Sequence, residues 1–169
     1  ESGCDCIKLE GGSDMAPVIK AIVKAGIPVC AHIGLTPQSA AMMGGFKVQG
    51  KSLEAAQELL DSARAVEEAG AFMVVLEGIP KMLADVITEK LSIPTMGIGA
   101  GAGCDMQVLV AQDMLGMNEW VPKFVKKYAD LHKIIIDAYN QYVKESNERT
   151  FPDHDTQYNA VIEGIENLK

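Results

Sequence analysis

Short apolar runs alternate with helix-length amphipathic segments, and the polar residues of those runs gather at their carboxyl ends. The first run, Cys6 to Leu9, leads to Gly11-Gly12. A helix is expected from about Asp14 to Lys24, with Val18, Ile19, Ile22 and Val23 on one side and Gly26 as its stop. Pro28 opens a second run, Val29 to Ile33, and a Gly-rich loop then carries Leu35-Thr36-Pro37-Gln38 and Gly44-Gly45-Phe46. Ser52 suits the N-cap of a helix running to about Ala69 and ending at Gly70. The pattern repeats as strand Phe72 to Leu76, helix Lys81 to Leu91, Pro94 and strand Thr95 to Ile98. After a glycine loop, Val108-Leu109-Val110 reads as a fifth strand. The remainder is expected to be mostly helical, with Phe124, Tyr128, Leu131, Ile135, Ala138 and Tyr142 at roughly helical spacing.

Strand–helix alternation implies a parallel sheet, either open and doubly wound or closed into a barrel. The strand ends separate these options. In Cys6-Ile7-Lys8-Leu9-Glu10 side chains alternate faces, so Lys8 and Glu10 share one side. His32 comes last in Val29-Cys30-Ala31-His32, and Glu77 closes Phe72-Met73-Val74-Val75-Leu76-Glu77. Polar residues at the carboxyl ends of successive parallel strands are where a (β/α)8 barrel builds its active site. An open sheet uses one crevice at a switch point and does not need them all. The barrel is favoured.

With 169 residues and no linker or low-complexity segment, one domain is expected, the region 121–169 forming its helical end. A formal charge of −8 argues against a nucleic-acid or anionic-membrane surface and for small-molecule chemistry. Nothing approaches the apolar length of a membrane span. Cys4, Cys6, Cys30 and Cys104 lack C-x-x-C spacing and read as thiols in a reducing compartment, not as a disulfide framework or zinc site. The first residues read as a loop entering a strand, as if the true start lay upstream.

Lys8 and Glu10 are either a strand-end ion pair or a cation and carboxylate facing one pocket, where Glu10 can ligate a hard divalent metal. His32 fits a bond to a backbone carbonyl as well as a substrate contact or proton transfer. Glu77 follows five apolar residues and precedes Gly78-Ile79-Pro80. Partial desolvation makes such a carboxylate a stronger base, though it can also cap the next helix. Gly97-Ile98-Gly99-Ala100-Gly101-Ala102 fits a dinucleotide fingerprint only on paper, because another strand, not a helix, is expected next. A tight loop fixed by Asp105 and Gln107 is expected instead. Lys123, Lys126 and Lys127 read as a solvated face.

Several motifs resemble the ketopantoate hydroxymethyltransferase family in order and spacing. They are Ile-Lys-Leu-Glu-Gly-Gly at 7–12, Pro-Val-Cys-Ala-His-Ile-Gly-Leu-Thr-Pro-Gln-Ser at 28–39 and Gly-Gly-Phe-Lys-Val-Gln-Gly at 44–50. Val-Leu-Glu-Gly-Ile-Pro at 75–80, Ile-Pro-Thr-Met-Gly-Ile-Gly-Ala-Gly at 93–101 and Gln-Val-Leu-Val at 107–110 follow. Pro-Lys-Phe-Val-Lys-Lys-Tyr at 122–128 and Phe-Pro at 151–152 complete the set. The resemblance implies part of a (β/α)8 TIM barrel, strands four to eight with their helices. It also implies hydroxymethyl transfer from 5,10-methylenetetrahydrofolate to 3-methyl-2-oxobutanoate, giving 2-dehydropantoate for pantothenate synthesis. In those terms Glu10 matches a Mg2+ ligand, Lys8 a substrate-binding lysine, Glu77 the general base and His32 a histidine near the bound oxo acid. A homo-oligomer in the cytoplasm, or in mitochondria of a eukaryote, goes with the same resemblance.

The family's first three strands, with two aspartates of the metal site and a serine that helps hold substrate, have no counterpart here. Met106 stands where a glycine is usual, and Gly78 where a cysteine is also seen. Two other readings stay open. One is an inactive or complementing barrel fragment. The other is a Mg2+-dependent 2-oxo acid enzyme of the phosphoenolpyruvate mutase and isocitrate lyase type, which the 35–50 loop disfavours.

Overall fold

The computed structural model describes residues 3–42 and 44–168. One sheet holds five parallel strands in sequence order: β1 (Ile7–Glu10), β2 (Val29–Gly34), β3 (Met73–Glu77), β4 (Thr95–Ile98) and β5 (Met106–Gln107). Between them run α1 (Ala16–Lys24), α2 (Leu53–Glu68) and α3 (Lys81–Lys90). Right-handed crossovers are the rule between parallel strands, and a succession that never reverses direction places these three helices on one face. Val29, Ala31 and Ile33 of β2 and Val74 and Leu76 of β3 accordingly pack with Ile19, Leu60, Val66 and Ile87 from the three helices. A doubly wound sheet would need a reversal, and none occurs. The sheet is consistent with part of a TIM barrel.

Local chemistry explains most element ends. Ser52 accepts a hydrogen bond from the Ala55 N–H at 3.1 Å and starts α2. Gly70 stops it in the left-handed region at φ +96°. Pro17 sits in the first turn of α1, which begins two residues later than expected. Ile19 of α1 is fully buried whereas Val18 is 42% exposed, so the apolar stripe is narrower than its sequence suggests.

The fifth strand is a correction. Val108-Leu109-Val110 is not a strand; pairing falls instead on Met106 and Gln107, opposite Met96 and Gly97. Only the Val108 N–H extends the ladder, to the Gly97 carbonyl at 3.0 Å. The cause is a clamp just upstream. Asp105 accepts from the Thr95 N–H at 2.8 Å and from its hydroxyl at 3.0 Å, which brings the chain onto β4 two residues before the apolar run. Gln107 reaches the Gly101 carbonyl at 2.9 Å, so both polar residues fix the glycine loop as expected.

Residues 3–110 with 122–125 form the compact unit that holds the sheet; 111–121 with 126–168 form a second unit. In the second, α4 (Ala111–Met114) is a single turn and α5 (Leu131–Glu148) is capped by Asp130 on the Lys133 N–H. Phe124 and Tyr128, expected on the same helical face as Tyr142, both precede α5. Lys123, Lys126 and Lys127 are exposed as expected, and Lys127 also ties the loop, donating to the Asn118 and Glu119 carbonyls at 2.7 and 2.9 Å. Tyr142 meets Phe151 edge to face at 5.5 Å. No helix among the described residues is long and apolar enough to cross a membrane.

Candidate active site

Strand register sorts the helix-free face of the sheet into rows. Lys8, Cys30 and Met73 stand side by side in the first. Glu10, His32, Val75, Met96 and Met106 form the second. Gly34, Glu77 and Ile98 form the third, at the carboxyl ends. Layered side chains of this kind fill the inside of a parallel barrel, with the chemistry at the last layer.

The four sequence-derived candidates converge on this face. His32 lies between two carboxylates: its Nε2 is 3.2 Å from Glu77 Oε2 and its Nδ1 is 3.9 Å from Glu10 Oε1. Lys8 Nζ is 3.8 Å from the same Glu10 oxygen. The ring is 1% exposed and the two carboxylates are nearly as covered, whereas half the Lys8 side chain is open to solvent. His32, read as either bonded to a backbone carbonyl or near a substrate, is enclosed by protein, and Lys8 is the most open of the four side chains.

Backbone groups complete the arrangement. Nε2 of His32 donates to the Leu35 carbonyl at 2.9 Å, which fixes the tautomer, because a carbonyl only accepts. Nδ1 finds no hydrogen-bond partner although it is buried. The Gln38 N–H, in the 3-10 turn Pro37–Ser39, donates to Glu10 Oε2 at 3.0 Å. The carbonyl bond of His32 is one of the two expected readings, whereas the Gln38 contact was not foreseen, since a main-chain donor leaves no side-chain signature. Pro37 opening a turn was the available hint.

No side chain fits at Gly34. Its φ is +90°, and a Cβ would come 2.3 Å from the Glu77 carbonyl oxygen. The neighbouring loops are laced across the strand ends. The Leu35 N–H donates to the Glu77 carbonyl at 2.8 Å, and the Gln49 N–H to that of Gly78 at 2.9 Å. Gly78 in turn donates to the Ile98 carbonyl at 2.9 Å.

The two thiols near this machinery are poor nucleophiles. Burial pushes the Cys30 thiol up, with Lys8 only partly offsetting it, and burial does the same to Cys104. Among the described residues no three His, Cys, Asp or Glu side chains converge on a metal position. Glu10 offers one carboxylate, and one of its oxygens already accepts from Gln38. Magnesium takes six oxygen ligands in near-octahedral geometry, so the residues of this chain do not by themselves fit that ion.

A family model described as ketopantoate hydroxymethyltransferase matches residues 1–154. A 3-methyl-2-oxobutanoate hydroxymethyltransferase of Clostridium novyi is 59% identical over 153 residues, covering 90% of this chain and 56% of the relative. Its counterpart in Geobacter metallireducens is 59% identical over 154 residues, covering 90% and 58%. The one in Enterococcus faecalis is 54% identical over 169 residues, covering 99% and 62%. The chain thus spans somewhat more than half the length of these curated relatives.

Proposed function

We propose a function from one premise: the chain belongs to the ketopantoate hydroxymethyltransferase family. It supplies the proton-abstracting half of an enzyme that adds a hydroxymethyl group to 3-methyl-2-oxobutanoate, giving 2-dehydropantoate, with 5,10-methylenetetrahydrofolate as donor. The strands stand for the fourth to eighth of a (β/α)8 barrel. The supporting observation is the line Glu10–His32–Glu77 across three consecutive strands, its two carboxylates at strand ends and Lys8 beside it.

Glu77 takes the proton from the carbon next to the substrate's carbonyl. Its carboxylate is held on the Nε2 side of His32, so it meets that proton in a fixed orientation. Lys8, exposed on one side, receives the substrate's negative charge and stabilises the enolate oxygen as charge develops there. His32 sits near the bound oxo acid but acts through the carboxylates, spacing Glu10 from Glu77. The enolate carbon then bonds to the donor's methylene carbon. Both carbon–nitrogen bonds of the donor's methylene break, one as the enolate attacks and one as water supplies the hydroxyl. The proton taken by Glu77 and one from that water end on the two nitrogens, releasing tetrahydrofolate. For the magnesium ion that the family resemblance implies, Glu10 is the one candidate ligand proposed among the described residues.

Proton exchange tests the reading without the donor. The complete protein, incubated with 3-methyl-2-oxobutanoate in D2O, should replace the C3 proton with deuterium, followed by NMR. Glu77→Gln should slow this exchange about a thousandfold, within the range for loss of a general base. Exchange at the wild-type rate in that variant sinks Glu77 as base. Unchanged chemistry on a 2-oxo acid with no folate present in a full turnover would favour the phosphoenolpyruvate mutase type of enzyme.

A further inference from the structure

We infer that Phe124 and Lys123 recognise the second substrate, holding a flat, anionic heteroaromatic carrier of the one-carbon unit against the β4 side of Glu77; this rests on the function proposed above. Residues 122–125 belong to the sheet unit although the chain on either side of them does not. Gly99 is what receives them. A Cβ there would come 2.7 Å from Phe124 Cδ1 and 2.9 Å from Cγ, so the ring lies on bare backbone that any larger residue would fill. The Val125 N–H closes the turn onto the Pro122 carbonyl at 3.0 Å.

This seat lies next to the chemistry. Ile98, the residue before Gly99, pairs with Glu77, and its carbonyl accepts from Gly78. Phe124 therefore stands one residue beyond the strand position beside the base. Its ring is not consumed by the core, being 37% exposed. On that side the strand positions are Met96 and Ile98, followed by Gly99, and none of the three carries a charge. A bare aromatic face among apolar residues suits an uncharged fused ring, which stacks by dispersion and quadrupole contact.

The reaction demands such a neighbour. The methylene carbon must reach the atom that Glu77 deprotonates, so its carrier has to lie alongside Glu77 and not behind Lys8. Folate carriers pair a flat ring system with a tail of carboxylates. Lys123, adjacent to Phe124, is exposed and makes no ion pair among the described residues. On a chain of net charge −8 it is a cation of the right sign for that tail.

Tetrahydrofolate, titrated into the complete protein by calorimetry, tests this independently of catalysis. Phe124→Ala should weaken binding at least tenfold, and Gly99→Ala should match it by displacing the ring. Phe124→Tyr, which keeps the ring, should stay within threefold of wild type. Lys123→Gln should weaken binding about threefold and flatten its dependence on salt. Unchanged affinity in both Phe124→Ala and Gly99→Ala overturns the assignment, as does an equal loss in Phe124→Tyr, which would make the ring a packing element only. Glu77→Gln should bind tetrahydrofolate normally, so a failed exchange experiment and a failed titration point to different errors.

Discussion

The two halves of one sheet face differ sharply. Across β1 to β3 the second and third rows carry Glu10, His32 and Glu77, with Lys8 below; across β4 and β5 the same rows carry Met96, Ile98 and Met106. Both halves share backbone geometry, so the contrast lies entirely in side chains. One half gathers two carboxylates, an ammonium group and a histidine, at the desolvation cost of burying that histidine between carboxylates. The other sets an apolar, uncharged flank beside them. Removing water on one side strengthens every charge interaction on the other.

The comparison breaks most completely if charge is moved across it. Ile98→Asp places a second carboxylate beside Glu77 at a site only 8% exposed. Burying it unpaired costs several kcal/mol, so urea denaturation should show a protein that is largely unfolded or has lost proton exchange. Next is the histidine that divides the polar half. His32→Ala should lower turnover about a hundredfold, the low end of what a positioned proton-handling group contributes. His32→Gln, whose amide can replace Nε2 toward Leu35 and Glu77, should recover much of the loss, and His32→Asn should not. Equal activity of the Gln and Asn variants would show that neither nitrogen's position matters.

Smaller effects sharpen the contrast. Met96→Leu conserves volume on the apolar flank and should cost under about 1.5 kcal/mol, with exchange unaffected. The smallest is a pH effect remote from the site. Burial pushes the Glu67 carboxyl up, but hydrogen bonds from the Ser92 hydroxyl and the Ser92 and Ile93 N–H groups outweigh it and hold the carboxyl below its usual range. The Thr95 N–H and hydroxyl hold Asp105 low as well. A carboxyl depressed by folding binds protons less readily in the folded state. Its stabilisation is present above the unfolded carboxylate range and is lost as pH falls through the folded value. Thermal midpoints should therefore drop on acidification, and Glu67→Gln should shallow that drop.

The first four strands were legible because Gly and Pro punctuate them and because the first three carry a polar residue at or near their carboxyl ends. Glu77 is the clearest case: a charge after five apolar residues locates both the strand end and the site. The fifth strand was misplaced because apolar content decides which segment prefers burial, not where pairing begins. There the Asp105–Thr95 clamp, a contact between residues ten apart, overrides Val108-Leu109-Val110. Phe124 was assigned to a helix on spacing alone, although Pro122 two residues earlier argued against one and Gly99 held its seat. His32 was read as closing its run, but β2 continues to Gly34, and its position between two carboxylates depends on how neighbouring strands align in register.

The lacing across the strand ends ties the chain on both sides of Glu77 to its neighbours through the amides of Leu35, Gln49 and Gly78. Those amides should open together or not at all, so hydrogen exchange there would report one cooperative rim instead of separate flexible loops. A rim of that kind cannot be re-engineered one loop at a time. Grafting a foreign 35–50 segment would also have to reproduce the bonds that hold the backbone around Glu77 in place.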